Sequence, residues 1–395
     1  MDPRELKRKL IREAKDLESY IIKTRRRLHM DPETAFEEEN TAQFIEEQLN
    51  KIGYKTQRTT KTGIIASIEG LKKGRTVALR ADIDALNITE ENDVSYRSKN
   101  LGKMHACGHD SHTAMLLGAA KILYNNKEQL QGPIKLIFQP GEEGGGGGKK
   151  IIDEGHFDDV DIVFGIHVWQ DLPSGIIATR EGAMLASSDR FSITITGKGG
   201  HVATPHQTID PTAVVSNIYD ALQKVVSREI NPLDPCILAL PMISGSNAHN
   251  IIPSVATLRG TFRTLNPELR NYFIRRIQEI VEGFSKAWRC DGKVEFDPLA
   301  YPPLINNAET VVLVRNILQE LDNIKLMSPS MIGEDFAFYL QKVKGVFLVL
   351  GIRNEEKGSI YPHHHPKFQI DESVLWKGTA IYSILGFYWL FKMVD

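Results

Sequence analysis

Short apolar runs that read as strands alternate with helix-periodic segments through the first half of the chain, and the same alternation returns near its end. Thr76-Val-Ala-Leu-Arg-Ala-Asp82, Ile134-Lys-Leu-Ile-Phe-Gln139 and Ile162-Val-Phe-Gly-Ile166 are three such strands. Met115, Leu116, Ala119, Ala120 and Leu123 keep a helical period between the first two, and a shorter helix is expected around residues 149–154. Helices are also expected from Arg4 to Asn50, and Val346-Phe-Leu-Val-Leu350 is a further buried strand. Such alternation demands an α/β domain built on a largely buried central sheet.

The pattern changes between about Met184 and Pro302. Arg190-Phe-Ser-Ile-Thr-Ile-Thr196 alternates as a strand with one wet face, and Asp210 to Arg228 and Leu269 to Trp288 read as helices. Ile237–Leu240 and Thr257–Arg263 read as further strands. Strands with one open face and two helices predict a small α+β sandwich, residues 186–300, inserted into a larger domain formed by residues 1–185 and 301–395. Gly144 to Gly148, five glycines after two glutamates, reads as a mobile loop at a site.

A chain of 395 residues is long enough for two domains. Lys plus Arg at 48 against Asp plus Glu at 50 leaves a net charge of -2, which gives no reason to expect nucleic acid or an anionic membrane as partner. Cys107, Cys236 and Cys290 are few, odd in number and far apart, as in a reducing compartment, so the cytoplasm is expected. The apolar stretch Ala380–Phe391 is too short for a bilayer and reads as a buried terminal helix.

Polar groups collect just past the ends of the strands, the edge where an open α/β sheet gathers its loops. The first strand ends in Asp82-Ile-Asp84, the second is followed by Glu142-Glu143, and the third ends at His167. Between the first two strands lies Cys107-Gly-His109, where a thiolate and an imidazole one residue apart can reach one small ion. The Gly between them lets the backbone bend close to it. A set of Cys, His, Glu and His suits zinc, with cobalt, nickel or manganese as substitutes. Neighbouring carboxylates suit metal-assisted hydrolysis of an amide or ester: one holds the ion while the other takes a proton from the water that the ion acidifies. Tyr361-Pro-His-His-His-Pro366 could present a further imidazole or simply be an exposed loop.

Nine blocks in order along the chain resemble one known family. They are Arg80–Leu86, Met104–Asp110, Phe138–Glu143, Phe164–His167, Gly197–His201, Asn250–Pro253, Gly260–Arg263, Gly333–Asp335 and His364–Phe368. The family is the metal-dependent amidohydrolases that include hippurate hydrolase, aminoacylases, indole-acetyl-amino-acid hydrolases, N-acetyldiaminopimelate deacetylase and archaeal thermostable carboxypeptidases. The resemblance implies a zinc-peptidase-like catalytic domain with a central mixed sheet, and an inserted ferredoxin-like lid and dimerisation domain. It implies Cys107, His109, Glu143, His167 and His364 as ligands for up to two zinc ions. His364 is chosen over His363 and His365 because it lies two residues before Pro366, with Phe368 two residues after that proline. It implies Glu142 as general base and proton donor, and His201 as the group that stabilises the oxyanion from the lid. Asp84 would orient a ligating imidazole, and Asn250 and Arg263 would hold the substrate carboxylate.

The implied substrate is an N-acyl or N-blocked amino acid or a short peptide, handled by a homodimer or a tetramer. A dedicated N-acetyl-amino-acid deacetylase and a catalytically silent amino-acid-binding protein are the rival readings. Gly141 and Asn87 depart from the family's usual Ala and Pro. No role is assigned to His105, His112 or His206, and Asp82 is read as structural or as support for a ligand.

Overall fold

The fold is taken from a computed structural model that describes residues 3–72 and 75–391. The chain divides into two compact units: residues 1–182, 305–328 and 338–395, and residues 183–304 with 329–337.

The first unit is built on an eight-stranded sheet. Its order is Lys55–Thr59, Gly63–Ile68, Ile134–Gln139, Thr76–Asp82, Val160–Pro173, Lys344–Arg353, Ile177–Thr179 and Lys325–Leu326. Thr76–Asp82 runs parallel to both of its neighbours, and Val160–Pro173 runs parallel to Lys344–Arg353. Antiparallel pairs lie outside this parallel centre, so the sheet is mixed, as expected. Every residue of Thr76–Asp82 and of Ile134–Gln139 is buried, which explains why both read as continuous apolar runs with little alternation.

Helices Pro3–Asp16, Glu18–Met30, Glu39–Ile52, His109–Asn125, Ala308–Leu318 and Leu375–Phe391 accompany this sheet. His109–Asn125 is buried for almost its whole length, and two glycines bring it close to Leu375–Phe391. A Cβ on Gly118 would lie 2.7 Å from Thr379 Oγ1, and one on Gly378 would lie 2.0 Å from Met115 Sδ. Thr379 Oγ1 donates to Met115 O at 2.9 Å across that contact. Among the described residues no helix is long and apolar enough to cross a membrane.

The glycine run is a packed turn and helix start, where a loose loop was expected. Gly147 and Gly148 open the helix Gly147–Asp153, and a Cβ on Gly147 would fall 1.7 Å from Pro140 O. A Cβ on Gly145 would fall 1.9 Å from the ring of Phe36. These glycines admit a close approach that no side chain allows.

The second unit follows the order strand, helix, strand, strand, helix, strand. Cys236–Ser244, Val255–Thr264, Asp189–Thr196 and Asp291–Phe296 lie in that spatial order, all antiparallel. Pro211–Lys224 and Pro267–Trp288 cover one face, burying Val214, Ile218, Phe273 and Ile277 against Ile193, Leu258 and Phe262. This is the ferredoxin-like topology. Both helices start at a proline behind a capping side chain, Asp210 on Thr212 N and Asn266 on Glu268 N. Pro329–Ala337, grouped by sequence pattern with 301–395, belongs to this unit. Ser330 N donates to Met184 O at 2.9 Å, Ala186 N to Ser330 O at 3.0 Å, and Arg263 Nη1 to Met331 O at 3.0 Å.

Candidate active site

The Thr76–Asp82 strand ends in a buried pair of carboxylates that support different partners. Asp84 accepts from His109 Nδ1 at 3.3 Å with one oxygen and from Glu143 N at 2.9 Å with the other. That contact assigns the proton of His109 to Nδ1 and leaves its Nε2 lone pair pointing away. Asp82 pairs with Arg80 at 2.8 Å and with His112 Nδ1 at 2.5 Å. His112 Nε2 accepts from Val168 N at 2.9 Å, the residue next to His167. His112, given no role by sequence reasoning, is therefore part of the scaffold under His167, with ring centroids 4.4 Å apart. Its position three residues after His109 on one helix was the available signal.

Cys107 and His109 flank Gly108, whose φ of 86° lies in the left-handed region. A Cβ there would meet Val168 Cγ2 at 2.5 Å, so only glycine allows this turn into the His109–Asn125 helix. Cys107 Sγ lies 3.5 Å from His167 Nε2, and His109 Nε2 lies 3.9 Å from Glu143 Oε1. Of the three tandem histidines, His364 faces the group, its Nε2 3.2 Å from Glu143 Oε1. His363 Nε2 accepts from Gln170 N at 3.2 Å, and His365 stacks on Tyr361 at 4.5 Å. His364 adopts a φ of 65°, and its N–H donates to Ala106 O at 2.9 Å, tying this loop beside Cys107.

The donor atoms of Cys107, His109 and Glu143 lie within 4.8 Å of one another. His109 Nε2 is buried without a hydrogen-bond partner, a costly state for a polar atom unless an ion takes up its lone pair. The electrostatics agree. Burial, then the charges of Glu143, Glu142 and Asp82, push the Cys107 thiol well above its usual range. Burial opposes charge on His109, but Asp82, Asp84 and Glu143 outweigh it and raise its pKa to about 10. Both shifts mark a concentration of negative charge that a cation would neutralise. Asp82, His109, His112 and His167 also cluster; both His112 nitrogens and Asp82 already have protein partners, so these two residues fit a support for His109 and His167 better than ligands of their own. Thiol, imidazole and carboxylate donors fit a divalent ion of the zinc type. Glu142, next to Glu143, is buried.

Three expected residues lie in the second unit. His201 and Asn250 are neighbours in a two-stranded ribbon, Gly200–His201 against Ile251–Ile252, with Val202 N donating to Asn250 O at 3.4 Å. Both side chains are exposed. Arg263 lies on the Val255–Thr264 strand, half-buried, its pKa lowered by burial and by Arg190.

The chain is similar to known proteins over nearly its whole length. Residues 78–385 match the family described as "Peptidase family M20/M25/M40". Thermostable carboxypeptidase 2 of Saccharolobus solfataricus is 40% identical over 386 residues, 97% of this chain and 98% of that protein. N-acetyl-L-cysteine deacetylase of Bacillus subtilis is 41% identical over 369 residues, 92% of this chain and 86% of that protein. The crystal structure of the Bacillus subtilis YXEP protein, a dinuclear metal-binding peptidase of the M20 family, superposes with a TM-score of 0.83 at 32% identity, covering 95% of this chain and 99% of that one. The chain belongs to peptidase family M20/M25/M40 and is a metal-dependent hydrolase.

Proposed function

We propose that this enzyme hydrolyses the amide bond of N-acyl or N-blocked amino acids, or releases C-terminal amino acids from short peptides, with Cys107, His109, Glu143, His167 and His364 holding up to two zinc ions. The observation that carries this reading is the convergence of those side chains beside Glu142, with His109 Nε2 buried without a hydrogen-bond partner and Glu143 Oε1 facing both it and His364 Nε2. A bound divalent ion supplies Lewis acidity, polarising the scissile carbonyl and lowering the pKa of the attacking water. Glu142 takes the proton of that water and passes it to the leaving amine. Asp84 holds His109 in the tautomer that presents Nε2, and fixes the backbone of Glu143. His201 stabilises the oxyanion, and Asn250 and Arg263 hold the substrate carboxylate, a task suited to the planar guanidinium.

The second unit is assigned as lid and dimerisation domain. Its outer strand Cys236–Ser244 leaves Ile237, Met242 and Ile243 exposed, which supports a homodimer, and a tetramer would require a further interface. Three free cysteines support a cytoplasmic setting. Glu142→Gln is expected to lower kcat by about 10²–10⁴-fold with metal still bound. Near-normal turnover in that variant would remove Glu142 from the reaction. A dedicated deacetylase is the second reading, motivated by the N-acetyl-L-cysteine relative. Turnover on a panel of N-acetyl, N-benzoyl and benzyloxycarbonyl amino acids separates the two.

A further inference from the structure

Glu38 is fully buried, yet among the described residues it forms no ion pair, and it sits at the N-cap position of the Glu39–Ile52 helix without capping it. Glu33 does that work instead, accepting from Asn40 N at 3.1 Å and from Thr41 N at 2.8 Å. The carboxyl of Glu38 turns away from its own helix. One oxygen accepts from Gly141 N at 3.0 Å, and the other accepts from the hydroxyl of buried Thr62 at 2.6 Å. Burying a carboxyl without a counter-charge is costly, so its retention calls for an explanation outside the helix.

The partner residue supplies one. Gly141 N is held by Glu38, and Glu143 N, two residues on, is held by Asp84 at 2.9 Å. Glu142 lies between two backbone amides, each fixed by a buried carboxyl from a different segment. The segment carrying Glu38 is itself tied to the end of the central strand, where Ala85 N donates to Glu33 O at 2.8 Å. The ring of Phe36 sits over Gly141 and Gly145, closing the turn from above. A backbone clamped at both sides of one residue leaves that side chain little freedom of direction.

We infer that Glu38 is a positioning residue for the proposed general base: by holding Gly141 N it sets the direction of Glu142 through the backbone, without touching substrate or ion. The inference rests on the hydrolase reading above, and its test separates the two. Full-length, metal-loaded Glu38→Ala, Glu38→Gln and Thr62→Val are compared with the parent enzyme on a hydrolysable N-benzoyl amino acid, recording kcat, KM and bound metal. Glu38→Ala is expected to lose about 10–100-fold in kcat with KM and metal stoichiometry nearly unchanged. Glu38→Gln keeps an acceptor for Gly141 N and is expected to recover most of that loss. Thr62→Val, which removes only the donor to the second oxygen, gives a smaller fall and serves if Glu38→Ala does not fold. Unchanged kcat in Glu38→Ala, or in Thr62→Val where Glu38→Ala does not fold, overturns the inference. So does a Glu38→Gln variant as impaired as Glu38→Ala with metal lost in parallel, which would make Glu38 a merely structural group. If the parent itself shows no chelator-sensitive turnover, the hydrolase reading fails first and takes this inference with it.

Discussion

Gly141 stands where the resembling family usually has alanine, and its surroundings explain why. Its φ is 65°, and a Cβ would lie 2.5 Å from the Phe36 ring. Gly141→Ala, although it restores the common family residue, is expected to destabilise this chain by more than the roughly 1–2 kcal/mol that left-handed backbone costs an L-residue. Thermal melts of that variant, alone and with Phe36→Ala, test this: the second change should relieve part of the loss. Glu38 carries a prediction about pH. Burial, then the charge of Asp84, raises its pKa to about 7, above the usual carboxyl range. A carboxyl raised in the folded state binds more protons there than in the unfolded chain. Its contribution to stability is therefore full below about pH 4.3, the unfolded value, and is lost as pH rises through about 7. Glu38→Gln should remove that slope, so the difference in melting temperature between variant and parent should grow in the variant's favour across this window. A difference independent of pH would show that Glu38 is ionised throughout. Cys107→Ser should lower bound metal, since a hydroxyl is a poorer ligand than a thiolate for a zinc-type ion. Metal content at full occupancy in that variant would return Cys107 to the role of a buried cysteine.

The helix that begins at His109 is anchored by an ion cluster at its first turn. Asp110 pairs with Arg25 at 2.8 Å and with His29 at 2.7 Å, and His29 reaches Glu90 at 3.1 Å, all from buried positions. Removing one partner strands the others, at a cost of about 3–5 kcal/mol. Asp110→Ala should show that loss in denaturant titrations, whereas Lys149→Ala, at an exposed pair with Asp153, should change little. None of this cluster shows in the sequence, because its members lie on segments far apart and carry no periodic mark. The elements themselves were legible where burial writes a pattern. Thr76–Asp82 and Ile134–Gln139 have the expected ends because they are buried on both faces. Lys55–Thr59 carries no such mark, because Lys-Thr-Gln-Arg-Thr is a largely exposed edge strand with no apolar repeat. Gly147–Asp153 starts on two glycines, residues that argue against a helix, and at the first of them only glycine clears Pro140 O. The residues that gather at the candidate site were legible through their chemical type and order. His364, already singled out in the tandem by its spacing from Pro366 and Phe368, is turned toward Glu143 by backbone direction, in particular its left-handed φ.

At the scale of the molecule, the side chains proposed as ligands come from four stretches of the first unit: Cys107 and His109, Glu143, His167, and His364. An ion bound by all of them links distant segments and binds only the folded state. Removing it with a chelator should lower the melting temperature along with activity, and adding back a divalent ion should restore both. Loss of activity without a shift in melting would separate catalysis from folding and argue that fewer segments hold the ion. The middle of the sheet has a similar dependence on the end of the chain. Val160–Pro173 is flanked by Thr76–Asp82 on one side and by Lys344–Arg353 on the other. Because a chain is synthesised from its N-terminus, a growing polypeptide has the first neighbour long before the second. Through that interval Val-Phe-Gly-Ile-His-Val-Trp is an open, apolar edge, the kind of surface on which nascent chains pair wrongly with one another. The interval ends as the Lys344–Arg353 strand docks, shortly before His364 leaves the ribosome. Protection from aggregation and the capacity to gather the full donor set thus arrive almost together, and a prematurely terminated product has neither.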